Sequence, residues 1–308
     1  MNYENFLFET VEELKASAGA EGLVIEVRDV EKLQGESYKG LSIHYPGAKV
    51  NVCMNLMPFY EQLDAGQDRE SVMEDVKKAV RSALERLKTK DDDFVLPDYE
   101  EAKNHLMLEL ISKKTNDARL SGIPYKEITD LALIYRLDFG ETEGSKASAV
   151  INSALLKQLG VDAEQIHADA MATVPVNSPM RIRPMYEVLS EMSGMNMDPG
   201  PGAPPLFVAT NDSGFMGASV LAYPDFGEKA SELLGDDFYI IPSSIHELLL
   251  MPAHVIDPAT LKYIVMAVNR QEVAPEDRLS DNVYFYSRST GQITLAEDKK
   301  EEEIPIIF

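Results

Sequence analysis

Leu206-Phe207-Val208-Ala209-Thr210, Phe238-Tyr239-Ile240-Ile241 and Glu247-Leu248-Leu249-Leu250-Met251 are short apolar runs closed by turn-forming residues, the pattern of strands. Asn211 to Gly217 follows the first run and reads as a hairpin loop into a second strand, Ala218 to Tyr223. A helix spans Asp225 to Leu234 before Gly235, and Pro242-Ser243-Ser244 turns the chain between the other two runs. Asp257-Pro258 supplies a cap and a first-turn proline for a helix through Val268. Asn282 to Ser287 and Gly291 to Leu295 form a last hairpin. The order β-β-α-β-β-α-β-β calls for α+β architecture: mostly antiparallel sheets with helices packed on one face, because hairpins cannot join parallel strands.

Upstream lies Gly194 to Pro205, whose prolines lack donors and whose glycines carry an entropy cost. It reads as either a linker or a mobile surface loop, and we favour the linker. Before it, Pro184 to Met192 predicts a short helix with Pro184 in its first turn. Strands are predicted at Leu106 to Ser112, Leu131 to Leu137 and Ala147 to Ile151, and a helix at Ser153 to Leu159. Asp162 caps the next helix, with Gln165 placed to complete a capping box and Ala163, Ile166, Ala170 and Val174 facing inward. The chain opens with a helix from Tyr3 to Ala18, stopped by Gly19. Strands follow at Gly22 to Val30, Leu41 to Tyr45 and Val50 to Met54, then a helix from Glu70 to Leu87. Lys88 to Asp93 is the best linker candidate. Two or three units result: 1–90, 97–193 and 206–296, then an acidic tail with an apolar end, 297–308.

Composition narrows the functional classes. Hydrophobic residues make up 44% and charged residues 26% of 308, ordinary values for a folded protein. Acids outnumber bases 52 to 29, a formal charge of −23. Such a surface repels phosphate backbones and anionic lipid, so direct nucleic-acid or membrane binding is not expected. Acids are interspersed with bases, as in Glu74 and Lys78 or Arg81 and Glu85, which favours solubility over a nucleic-acid mimic with one acidic face. The lone Cys53 permits no intramolecular disulfide and reads as a small buried hydrophobe. The first residues have no basic n-region and acids interrupt their apolar positions, so a cytoplasmic protein is expected.

No P-loop, Rossmann fingerprint, His-Glu-x-x-His or nucleophile-elbow pattern occurs, and the five histidines never fall at i, i+3 or i+4 spacing. No cofactor or metal is expected. Three places could hold a site. Ser243, Ser244, His246 and Glu247 put hydroxyls, an imidazole and a carboxylate in one turn, although side chains so close in a strand face opposite ways. Asn211, Asp212, Gly217 and Ser219 could present backbone N–H groups to an anion, although a hairpin needs such residues for geometry alone. Met180, Met185, Met192, Met195 and Met197 suit either a partner surface or, the reading we favour, the filling of a seam between units.

The runs Leu206 to Asn211, Gly217 to Pro224 and Asp237 to Glu247, with Leu56 to Tyr60 and Pro124 to Leu137, resemble an uncharacterised family of proteins from gut clostridia and related anaerobes, known only as a domain of unknown function. More distantly, Thr210 to Ser219 and the helix pair Leu155 to Met171 resemble the YtpQ-like family of uncharacterised bacterial proteins. The resemblance implies a cytoplasmic bacterial protein of one continuous architecture and brings no catalytic residue with it. The function that follows is non-enzymatic binding or regulation, with an unknown protein or small-molecule partner. The alternatives are a hydrolase with a dispersed Ser243, Ser244, His246 and Asp212 site, and the acidic mimic.

Overall fold

The computed structural model describes residues 2–18, 23–30, 38–46, 52–91, 96–142, 145–200 and 202–298. Gly19, Gly22, Gly47, Val50, Asp92, Asp93 and the tail from Lys299, all invoked above, lie outside the described residues. By internal contacts the chain divides into two compact units, Met1–Leu96 and Pro97–Phe308. Its sheets are antiparallel throughout the described pairings, so the protein is α+β. No helix among the described residues is long and apolar enough to cross a membrane.

The first unit runs α1 (Tyr3–Ala18), β1 (Val24–Val30), β2 (Tyr38–His44), β3 (Val52–Met54), α2 (Met57–Asp64) and α3 (Arg69–Asp91). Phe6, Leu7, Val11 and Leu14 recur at helical spacing on α1 and enter one core with Ile25, Leu41, Ile43, and Val72, Val76 and Val80 of α3. The sheet order is β1-β2-β3. Two expectations change here. Helix α3 continues to Asp91, four residues into the segment read as a linker, because Lys88-Thr89-Lys90 carries no breaker. Cys53 is exposed rather than buried, since β3 is an edge strand.

The second unit begins with α4 (Tyr99–Ala102), β4 (Leu106–Ser112), α5 (Lys113–Leu120), β5 (Tyr125–Ile128), β6 (Leu131–Thr142), β7 (Ser145–Val150), α6 (Ser153–Leu159) and α7 (Ala163–Asn177). The first half of β6 lies between β4 and β5, and its second half pairs with β7. Asp162 caps α7 through the Gln165 N–H; the Gln165 side chain donates instead to Asp169 Oδ2 at 2.8 Å. Then come β8 (Met180–Pro184), α8 (Met185–Ser193), β9 (Phe207–Asn211), α9 (Phe226–Leu234), β10 (Phe238–Ile241), β11 (Leu248–Pro252), α10 (Pro258–Gln271), β12 (Tyr284–Ser287) and β13 (Gln292–Leu295). The second sheet has the order β13-β12-β10-β11-β9-β8. Leu261 and Val265 of α10 pack with Tyr239, Ile241 and Phe285 in one core, and Phe226 of α9 meets Phe238 edge-on at 6.2 Å.

Three expectations fail in this sheet. Ala218 to Tyr223 is no strand: Gly217–Ala222 is a 3₁₀ helix, and the five residues Gly217 to Leu221 are all buried. Both flanks of β9 are already taken, by β11 and by β8, so no hairpin partner fits there. The second neighbour, β8, was missed because five residues ending in Pro184 carry little strand signal; Pro184 itself is the α8 N-cap rather than a first-turn residue. Because β8 and β9 pair directly, the chain between them joins neighbouring strands of one sheet rather than separate bodies.

The two sheets of this unit are joined at Asp130, in the turn between β5 and β6. Its Oδ1 accepts from Tyr284 Oη at 2.6 Å, and its Oδ2 from Ser280 Oγ at 2.6 Å and Asn282 Nδ2 at 3.0 Å. Burial, and then the Asp130 charge, push the Tyr284 phenol pKa well up, so it stays a donor. Asp130→Ala leaves three part-buried donors without their acceptor and should cost about 3 kcal/mol. A fall in the urea midpoint with unchanged m is the expected readout; an unshifted midpoint would show that water replaces the carboxylate.

Helix α7 lies on β6 through Tyr135, whose hydroxyl is 2.8 Å from His167 Nδ1. Burial first, then the Lys126 charge, lower the His167 pKa from 6.5, with Glu164 opposing. The unfolded chain therefore takes up this proton more readily, and stability falls as the pH drops through the unfolded value. His167→Gln should lose less stability than the wild type between about pH 7 and pH 5.5 in thermal melts; parallel pH curves would contradict this.

Candidate functional site

Several of the sequence-selected polar residues lie around the end of β9 and the turn between β10 and β11. What holds them together is mostly backbone. Thr210 Oγ1 donates to the His246 carbonyl at 2.8 Å, and the Ala218 N–H to the Ile245 carbonyl at 3.2 Å. Asn211, nearly buried, donates from Nδ2 to the Phe215 carbonyl at 2.9 Å and accepts from Ser213 Oγ at 3.0 Å. Met216 adopts a left-handed φ of 54°, which turns its N–H onto His246 Nδ1 at 3.2 Å. Gly217 must be glycine. A Cβ there would lie 1.9 Å from Thr210 Oγ1 and 2.4 Å from the His246 carbonyl oxygen.

Because Nδ1 accepts from Met216, the ring proton of neutral His246 sits on Nε2, which faces Asp277 Oδ1 at 3.8 Å. Phe215 covers the ring, with centroids 5.8 Å apart. Ser244 Oγ accepts from the backbone N–H of His246, and the Ser244 N–H donates to the Glu247 carbonyl. The Ser243 N–H donates to Ile241, and buried Ser219 has its N–H on Met216. Asp212 turns elsewhere, accepting from Ser178 Oγ at 3.1 Å. Tyr223 donates to the Ser178 carbonyl at 2.8 Å; burial, with Asp212 and Asp225 adding negative charge, pushes its pKa up to about 12. Among the described hydrogen bonds none links the His246 ring to a serine hydroxyl.

A buried ion pair lies beneath. Glu109 of β4 and Arg136 of β6 meet at 2.9 Å, with carboxylate and guanidinium side chains 5% and 17% exposed. Arg136 Nε also donates to Ser148 Oγ at 3.1 Å, and the Ser148 carbonyl accepts from Nη2 at 3.4 Å. Burial raises the Glu109 pKa, while Arg136 and then His246 act against it. Sequence reasoning passed over Glu109, Arg136 and Asp277. A signal existed for two of them: a single charge inside each of the apolar strands Leu106 to Ser112 and Leu131 to Leu137.

Of the five methionines, Met180 and Met185 are half-buried, whereas Met192, Met195 and Met197 are exposed; the latter three fill no seam. No group of three or more His, Cys, Asp or Glu among the described residues is placed to hold a metal ion.

Gly217→Ala should cost about 3 kcal/mol or more, because the clash includes a backbone oxygen that cannot swing aside. Thermal unfolding measures it, and a melting temperature within a degree or so of wild type would mean that the bend is softer than described.

A family model for a family of unknown function, DUF5688, matches residues 3–288, nearly the whole described chain, and the protein belongs to that family. No curated protein matches the chain. No solved structure does either.

Proposed function

We propose that this chain is a non-catalytic binding protein that meets a protein partner through α8 and the residues just after it. One observation carries the reading: Tyr186, Leu189, Met192, Met195 and Met197 are large apolar side chains left in solvent, Met192 at 80% exposure. Helix α8 has no buried residue at all. Single exposed apolar residues are ordinary; a run of five on one helix and its exit is not. Ser190 and Ser193 keep the exit against the helix, Ser190 Oγ accepting from the Met197 N–H at 2.8 Å and Ser193 Oγ from the Met195 N–H at 3.3 Å. Unbranched thioethers then offer a surface that adapts to a partner.

Charge narrows the partner. Arg183 holds Glu191 at 2.7 Å and lies 3.8 Å from Glu187, so the net acidity around the patch comes from Asp198 and from the chain's formal charge of −23. A surface with an apolar centre and a Lys/Arg rim is the complement. The polar cluster around His246 supports the same view, because the hydrogen bonds of Thr210, Asn211, Ser244 and His246 Nδ1 brace loop backbone.

The test pairs wild type with Met192→Glu/Met195→Glu in capture from native extract, followed by titration of the purified captured protein. We expect a stoichiometric partner whose affinity falls about tenfold or more in the variant and weakens with salt. Equal affinity for both proteins, or no stoichiometric partner, overturns the proposal.

A further inference from the structure

The exposed edge of the first unit is self-complementary, and we infer that two copies of this chain associate there by pairing β1 with β1. Strand β1 lies at the end of its sheet, and among the described residues only β2 pairs with it. A cleft of about 420 Å³ runs beside it, with Leu7, Val11 and Ile25 as floor and Phe8 and Val27 among its walls. Phe8 is 67% exposed and Val27 41%, although both lie next to a buried core. Proteins blunt free edges with charge, and β1 carries Glu26, Arg28 and Asp29. Their order does more than repel strands in general; it selects one.

In an antiparallel pair centred on Val27, Val27 meets Val27 of the second copy and Val24 meets Val30. Glu26 lies opposite Arg28, and the symmetry repeats that contact, so one register yields two opposite-charge pairs. Within one copy Arg28 already reaches Glu26, with Nε to Oε1 at 2.9 Å, so both groups stand on the same side and need only exchange partners. Alternation puts Val27 on the side of Ile25, facing α1. The two valines therefore meet at the cleft and cover Phe8. Ile25 opposite Asp29 is the one mismatch. Moving the twofold centre to Glu26 or to Arg28 would set like charges opposite each other and lose the matched pairs, so this register is favoured over its symmetric neighbours. The result is a twofold dimer with one sheet continuous through both first units, distinct from the α8 surface of the second.

Charge reversal tests it on the full chain under reducing conditions. Sedimentation across the micromolar range should show a reversible dimer. Glu26→Arg puts arginine opposite arginine, and Arg28→Glu puts glutamate opposite glutamate; each alone should weaken the dimer by about tenfold or more. Glu26→Arg/Arg28→Glu restores the match and should dimerise like wild type. Mixing the two single variants should give a heterodimer, since each supplies what the other lacks. Circular dichroism and melting temperature confirm that the variants fold, and because the double variant carries both substitutions of the single variants, it serves as the folding control. A wild type that stays monomeric across this range, dimers indifferent to the single reversals, or a mixture that fails to associate overturns the inference.

Discussion

Asp130 accepts from three side chains that stand 150 to 154 residues further along the chain. A carboxylate is suited to this: it has no proton of its own to place and can take several donors at short distance. Each donor has few other choices. Tyr284 is buried in the strand at its foot, and Asn269, also buried, fixes the loop from the other side through the Ser280 carbonyl and Asp281. The contact helps tie the two sheets of the second unit together, alongside the packing of the 217–222 3₁₀ helix on β4. It also sets the frame in which Glu109 and Arg136 of one sheet come near His246 of the other.

Much of this was legible in the residues, and where legibility failed the cause is specific. Helices α1, α3, α7 and α10 carry an apolar face at spacings of three and four, and the Asp162 and Asp257 caps fix where two of them begin. Strands β4, β10 and β11 are apolar runs with punctuation at both ends. Ala218 to Tyr223 misled because a buried run of small and branched residues looks the same whether it is extended or coiled; only the positions of β8 and β11 decide. Strand β8 was hidden by its brevity. Helix α5 has an apolar pattern too weak to announce itself, with Leu120 and the polar Asn116 as its buried residues.

The polar cluster illustrates a different limit. Sequence proximity drew attention to Ser243, Ser244 and His246, and the three do lie together. Whether neighbouring groups react or merely brace the chain depends on which atoms they face, and that depends on partners at distant positions: Met216 for the imidazole, Ser178 for Asp212. Asp277, the carboxylate nearest the ring, comes from a segment with no local hint of involvement.

The long reach of Asp130 also bears on how the protein is made. A chain leaving the ribosome can close the core of residues 1–96 once α3 has emerged, because every member of that cluster lies upstream of Asp91. The turn at Asp130 must wait until Tyr284 has been synthesised, with the apolar strands around it still lacking their final cover. Such a high-separation contact slows folding and lengthens the time in which β4 and β6 stand open to the wrong company. The second unit is therefore the later of the two to complete its core during synthesis.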